Sequence, residues 1–210
     1  MATKTKESKK IRDFIRIGIF TALWIAMGWI IACTIGFFPP ILVILPCILA
    51  VAGSVIYVVL LSKMNTRGGI FIPSFIFGLC LFTMVPYGML FICTAIGGLL
   101  GEIVYDTAGK KSDKAKAVGI SLPMVGLALG EYIPLCYMKE AFKALYEGSF
   151  TSDVGMKAIE LLSTPLAIAL TVITLICAIL GYLWGRKIVI KRLAAQGEKT
   201  KIKKVGFHVC

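Results

Sequence analysis

IGIFTALWIAMGWIIACTIGFFPPILVILPCILAVAGSVIYVVLLS, residues 17–62, runs for 46 positions without an Asp, Glu, Lys or Arg. One crossing of a bilayer needs about 20 apolar residues, so this stretch holds two. The chain turns at Gly36-Phe37-Phe38-Pro39-Pro40. Paired prolines remove two backbone donors and fix the turn, and the aromatics suit a membrane interface. The first run is not expected to be a cleaved signal peptide, because it passes directly into a second crossing and no small-residue cleavage site follows a short core.

Further uncharged runs lie downstream. Gly68–Gly101 is 34 residues long and breaks at Pro86-Tyr87-Gly88, which predicts two shorter helices. Val118–Met138 is interrupted only by Glu131, and Leu161–Gly185 has 25 residues without a charge. The reading is an all-α integral membrane bundle of six transmembrane helices. A soluble apolar bundle would show a polar face every 3.6 residues, and these runs show none. Composition agrees: 58% of residues are hydrophobic, 16% are charged and the mean hydropathy is +0.88, against about 25% charged in an ordinary soluble domain.

The net charge of +12 comes from 23 Lys and Arg against 11 Asp and Glu. Spread over a soluble surface it would suggest nucleic acid, but these charges lie between and outside the apolar runs. With the N-terminus inside, Lys4–Arg16, Lys63 and Arg67, Lys110–Lys116, and Arg186–Lys204 place 20 of the 23 basic residues on the cytoplasmic side. Lys139, Lys143 and Lys157 share the one long outer loop with Glu140, Glu147, Asp153 and Glu160. Short cytoplasmic loops carry the basic excess, so the expected topology is N-in, C-in.

The expected organisation is a basic cytoplasmic tail over residues 1–13, a six-helix membrane domain over 14–190, and a second basic tail over 191–210 whose first part prolongs the last helix. Lys199–Lys204 would meet anionic lipid headgroups. Asp106–Ala117 reads as a short, flexible inner loop. In the outer segment, Ala141–Tyr146 is expected to form a short amphipathic helix lying on the membrane surface.

Enzyme chemistry fails for want of parts. The only histidine, His208, is two residues from the end, and the cysteines (Cys33, Cys47, Cys80, Cys93, Cys136, Cys177, Cys210) never form a Cys-x-x-Cys pair. There is no Walker A pattern, so any ATP hydrolysis falls to a partner. No catalytic residue, metal site or cofactor is expected. Small residues four apart recur: Ala22 and Ala26, Gly97 and Gly101, Gly126 and Gly130, Gly181 and Gly185. Such pairs let helices approach closely. The glycine pairs read as packing within the bundle, whereas the alanine pair, flanked by Trp24, Trp29 and several isoleucines, suits a helix of another subunit equally well.

Acids inside a membrane are costly enough to need a reason. Glu102, four residues from Asp106, sits about 6 Å from the inner end of its span and is within reach of the cytoplasmic interface. Glu131 lies seven residues, about 10 Å, inside the outer end of its span. It belongs to Leu129-Gly130-Glu131-Tyr132-Ile133-Pro134, where the proline frees backbone groups and the glycine leaves room. Glu131 is the first candidate for ligand contact, the alternative being a hydrogen bond to a neighbouring helix. Phe37, Phe38, Tyr87, Tyr132, Tyr137 and Tyr146 collect near the outer ends. They form an aromatic belt or, if they converge over Glu131, a lid on an apolar pocket. Glu131, Tyr132, Tyr87, Tyr137 and Phe38 are the candidate substrate-binding residues.

The run Ile17-Gly18-Ile19-Phe20-Thr21-Ala22-Leu23 with Ala26, the Phe38-Pro39-Pro40 turn, Gly97-Gly98 followed by Gly101-Glu102, and Gly181 with Gly185-Arg186-Lys187 resemble the MptD (Trep_Strep) family. The resemblance spans about Phe14 to Lys191. Members of that family are read as substrate-binding S components of energy-coupling factor (ECF) transporters. The resemblance implies a six-helix protein of the bacterial cytoplasmic membrane that captures a scarce micronutrient from outside. Its implied partners are a membrane T subunit, two ABC-type ATPases, the small-molecule substrate and lipid, with no nucleic acid. Ala22 and Ala26 match the alanine motif through which S components dock on the T subunit, and toppling of the loaded S component is the implied route inward. Some relatives are linked to tetrapyrrole or haem uptake. With no extracellular or membrane histidine, haem iron would have to use Tyr87, Tyr132, Tyr137, Met84, Met89 or Met138, and nothing selects haem over a vitamin-sized ligand. The rival readings are a self-sufficient small permease or channel using Glu131 and Glu102, and a membrane scaffold without a ligand.

Overall fold

In a computed structural model the backbone is described for residues 2–35, 38–64, 67–109, 112–147 and 152–205, and side chains for 10–34, 38–64, 67–109, 112–147 and 153–192. His208 and Cys210 fall outside these, as do Gly36 and Phe37 of the first turn. All described elements are helical: α1 (Ala2–Ile35), α2 (Pro39–Ser62), α3 (Phe71–Cys80), α4 (Met89–Val104), α5 (Asp113–Tyr137), α6 (Lys139–Tyr146), α7 (Ser152–Leu161) and α8 (Thr164–Val205). Pro39 opens α2, where its fixed φ suits a first helical turn. The carbonyl of the extended Phe38 accepts from the N–H groups of Ile41 and Leu42, both at 2.9 Å.

Five stretches have the length and apolarity to cross a membrane: Lys10–Thr34, Pro39–Ser62, Pro86–Gly109, Asp113–Tyr137 and Thr164–Arg192. The third run of the expected six gives α3, only 10 residues long, or about 15 Å against a hydrocarbon core of about 30 Å. Its remaining residues leave the helix through local turns, with Leu81, Phe82 and Met84 donating to Gly78, Leu79 and Leu81. The break at Pro86-Tyr87-Gly88 is a short 3-10 turn in which Tyr87 (φ 55) and Gly88 (φ 63) are both left-handed, a conformation a tyrosine adopts only under constraint.

The helices pack by the small-residue pairs. Gly97 and Gly101 of α4 face Leu122 and Gly119 of α5, while Gly126 and Gly130 of α5 face Cys93 and Leu90 of α4. The paired numbers run in opposite senses, so α4 and α5 are antiparallel with their backbones in touch. A Cβ on Gly101 would strike the Gly119 carbonyl oxygen and one on Gly126 the Cys93 carbonyl oxygen; only glycine permits this approach. Gly181 and Gly185 of α8 meet Val51 and Val55 of α2 in the same order, a parallel pair. The outward faces are apolar: Ile19, Leu23 and Ile30 on α1, Ile96 and Leu99 on α4, and Ile168, Leu180 and Trp184 on α8 are all exposed.

The arginine ion pairs gather at one end. Arg16 pairs with Asp13 at 3.2 Å and donates to the Lys63 carbonyl, Arg67 pairs with Asp106 at 3.0 Å, and Arg186 with Asp113 at 2.9 Å. The stretch expected as a flexible loop over Asp106–Ala117 is instead mostly helical. A π-helical turn spans Tyr105–Gly109, the Ser112 N–H donates to Ala108, and α5 begins at Asp113, an acidic residue that suits a helix N-terminus. Lys110 and Lys111 lie outside the described residues. The N-terminal tail is likewise helical, its backbone continuing α1 back to Ala2, and α8 prolongs the last span to Val205.

Candidate functional site

On α5, Leu127, Glu131 and Leu135 are spaced by four and share one face. With one turn each of the facing helices they enclose a cavity of about 340 Å³. Glu131 is 18 residues from Asp113, about 27 Å along α5, so the cavity occupies the half of the bundle away from the ion pairs. From α1 come Gly28, Trp29, Ala32 and Cys33, and from α2 Leu42, Leu45 and Leu49. Phe77 of α3 and the unwound Leu81, Met84 and Val85 add a third wall, with Leu90 of α4 beside it. Phe142 and Tyr146 of α6 and Val154 and Gly155 of α7 close the top. The residues that follow the end of α3, Leu81, Met84 and Val85, thus line the cavity.

Glu131 is the one charged residue among the described residues of this lining. Its Oε1 is buried without a hydrogen-bond partner among the described residues. A carboxylate held at such depth costs about 3 kcal/mol or more unless something compensates it. Tyr146 stands close by: its hydroxyl donates to the Met84 carbonyl at 2.7 Å, and its ring stacks on Phe142 with centroids 4.8 Å apart. Burial first, and the Glu131 carboxylate second, push the Tyr146 phenol above its ordinary value, so it stays protonated and keeps donating. That bond ties α6 to the unwound end of α3, and α6 therefore lies across the cavity mouth.

The other residues read from the sequence as substrate-binding lie elsewhere. Tyr132, one position along α5 from Glu131, is buried and donates to the Val43 carbonyl of α2 at 2.9 Å. Phe38, Tyr87 and Tyr137 are exposed and do not line the cavity. Of the tyrosines and methionines considered as iron ligands, Met84 alone is in the lining. The aromatics that do close the cavity are Trp29, Phe77, Phe142 and Tyr146; the spacing of Phe142 and Tyr146, one turn apart on an amphipathic helix, is the signal that points to them. Ala22 and Ala26 are exposed on the outward face of α1.

Glu102 has a different office. Its two carboxylate oxygens accept the N–H groups of Gly68 at 2.7 Å, Ile70 at 2.8 Å and Phe71 at 3.1 Å. These are orphan donors at the start of α3, so Glu102 caps that helix from α4. By the α4–α5 register it is level with Val118, 13 residues or about 20 Å from Glu131.

Residues 11–194 match the model of the family described as "Hypothetical bacterial integral membrane protein (Trep_Strep)", so the chain belongs to that family. No curated protein and no solved structure matches it.

Proposed function

Starting from a member of this integral membrane family, we propose that the protein is the substrate-binding S component of an ECF-type importer. It takes a small molecule into the Glu131 cavity and delivers it inward with a T subunit and two ABC-type ATPases that supply the energy; the chain itself is not an enzyme. The observation that carries this reading is the cavity of about 340 Å³, whose lining among the described residues is mostly apolar with the one carboxyl side chain of Glu131, the usual construction of a small-molecule site. The exposed Ala22 and Ala26 give the chain a smooth helix face for a membrane partner. In this reading the basic end is cytoplasmic, the cavity faces out, and α3 with its unwound extension acts as a short sixth crossing in an N-in, C-in chain of the bacterial cytoplasmic membrane.

A self-sufficient permease would need Glu102 and Glu131 to hand a proton or cation along one path. The three backbone bonds that occupy Glu102 and the separation of about 20 Å speak against that relay. The test is a tagged pull-down from the native membrane. Recovery of a membrane T subunit with ABC-type ATPases is the expected result. Recovery of the protein alone, in detergent that preserves another ECF complex, would refute the importer reading.

A further inference from the structure

The cavity's charge inventory narrows what it can hold. Among the described residues, the lining that Glu131 shares has no Lys, Arg or His. On the covering helix neither Lys139 nor Lys143 is in the lining, and Lys143 is paired with Glu140 at 3.2 Å. A ligand bearing carboxylates or phosphates, a tetrapyrrole with two acid side chains included, would bring like charge against Glu131 in apolar surroundings with no cation to offset it. An uncharged hydrocarbon would leave the buried Oε1 atom without a partner, as it is now. An ammonium or amidinium group offers what is lacking, a donor of opposite charge on a body that the apolar walls accept.

We infer that the ligand is an organic monocation: a small apolar molecule, suited to a cavity of about 340 Å³, carrying one protonated amine or amidinium that pairs with Glu131. The inference rests on the reading of the cavity as a substrate site and adds the substrate's chemical class. The aromatic rings of Trp29 of α1 and of Phe142 and Tyr146 of α6 line the same space, and aromatic rings attract a cation that has been stripped of water. The Tyr146 hydroxyl is engaged by Met84, so charge recognition falls to Glu131 and the rings shape the site.

Three probes with one hydrocarbon body test it: 4-phenylbutylamine, 4-phenylbutanol and 4-phenylbutyrate, titrated calorimetrically into the full chain in lipid nanodiscs with empty nanodiscs subtracted. The amine is expected to bind at least about tenfold more tightly than the alcohol, and the carboxylate not to saturate. Glu131→Gln should bring the amine down to the alcohol's affinity, and Glu131→Asp should keep the preference. Ala32→Phe, which puts a ring into the cavity from α1 while leaving the acid in place, should abolish amine binding. Equal or tighter binding of the alcohol or carboxylate, an amine preference that survives Glu131→Gln, or no saturable response to any probe overturns the inference. The outcomes separate from those of the pull-down. A protein that recovers T subunit and ATPases yet prefers the carboxylate sinks the monocation alone, and one that prefers the amine yet is recovered alone sinks the importer alone.

Discussion

Replacing Glu102 by alanine separates a helix cap from a proton-relay acid. The carboxylate accepts three N–H groups at 2.7, 2.8 and 3.1 Å, and a hydrogen bond to a charged acceptor is worth about 1.5–3 kcal/mol net. The three bonds are not independent, since they share one side chain, and the site is only half-buried, so water recovers part of the loss. The expected destabilisation is about 2–4 kcal/mol, above the roughly 1 kcal/mol of an ordinary cap. Glu102→Gln, which keeps one acceptor oxygen, should lose roughly half as much. The loss should start at α3, whose Phe77 stacks on Trp24 of α1 with centroids 4.5 Å apart, so Trp24 emission should shift along with the SDS unfolding midpoint. A Glu102→Ala protein less than about 0.5 kcal/mol weaker than wild type, with unchanged emission, would refute the cap. If that same protein also lost cation flux in vesicles without ATPases, the permease would return as the better reading.

The remaining expectations follow from the same geometry. Gly126→Val drives a side chain into the Cys93 backbone and should cost more than about 3 kcal/mol or prevent accumulation of folded protein, whereas Gly18→Ala, with open space around it, should be neutral or gain up to about 1 kcal/mol; SDS titration compares them. Tyr132→Phe removes the bond to Val43 and should lower stability by about 1 kcal/mol while calorimetric binding of 4-phenylbutylamine stays unchanged. Tyr146→Phe releases α6 from Met84 and should speed dissociation of that probe several-fold in stopped-flow displacement. Ala22→Trp or Ala26→Trp should eliminate co-purification with a T subunit and leave probe binding intact.

Depth was legible in the sequence where azimuth was not. The lengths of uncharged runs place Glu131 in the correct half of a span and locate the break at Pro86-Tyr87-Gly88, because insertion into lipid depends on how many apolar residues occur in a row. Neighbours on a helix point about 100° apart, so Tyr132 turns to α2 while Glu131 turns to the cavity. The spacing Leu127-Glu131-Leu135 carries that information, and closeness in sequence does not. Phe38, Tyr87 and Tyr137 share the composition of a lid but not its position. The shortness of α3 is hidden for another reason: a run of 34 apolar residues fixes total length and not its division, and here local turns at Leu81–Met84 take residues that a longer helix would have used. The second covering helix, α7, lies in a mixed polar segment with no run to announce it.

The alanine face and the cavity share one helix, which constrains how they communicate. Positions 22, 26, 29 and 33 of α1 fall on one stripe by helical periodicity. The stripe begins at exposed Ala22 and Ala26 and ends at Trp29 and Cys33 in the cavity lining. Inward, α1 is held near its middle by Trp24 stacked on Phe77 and by Gly28 close against the same ring, and toward the basic end by Ile17 packed with Leu60 and Met64. Beyond Gly28, Trp29, Ala32 and Cys33 border the cavity. A partner seated on Ala22 and Ala26 would therefore bear on a helix whose next turns line the site of the ligand. Filling the cavity would stiffen that segment, and moving it would open the site. Coupling that runs this way through α1 is reciprocal, so saturating 4-phenylbutylamine should change T-subunit affinity, and T subunit should change probe affinity by the same factor. A T-subunit affinity that is the same with and without saturating probe would exclude it.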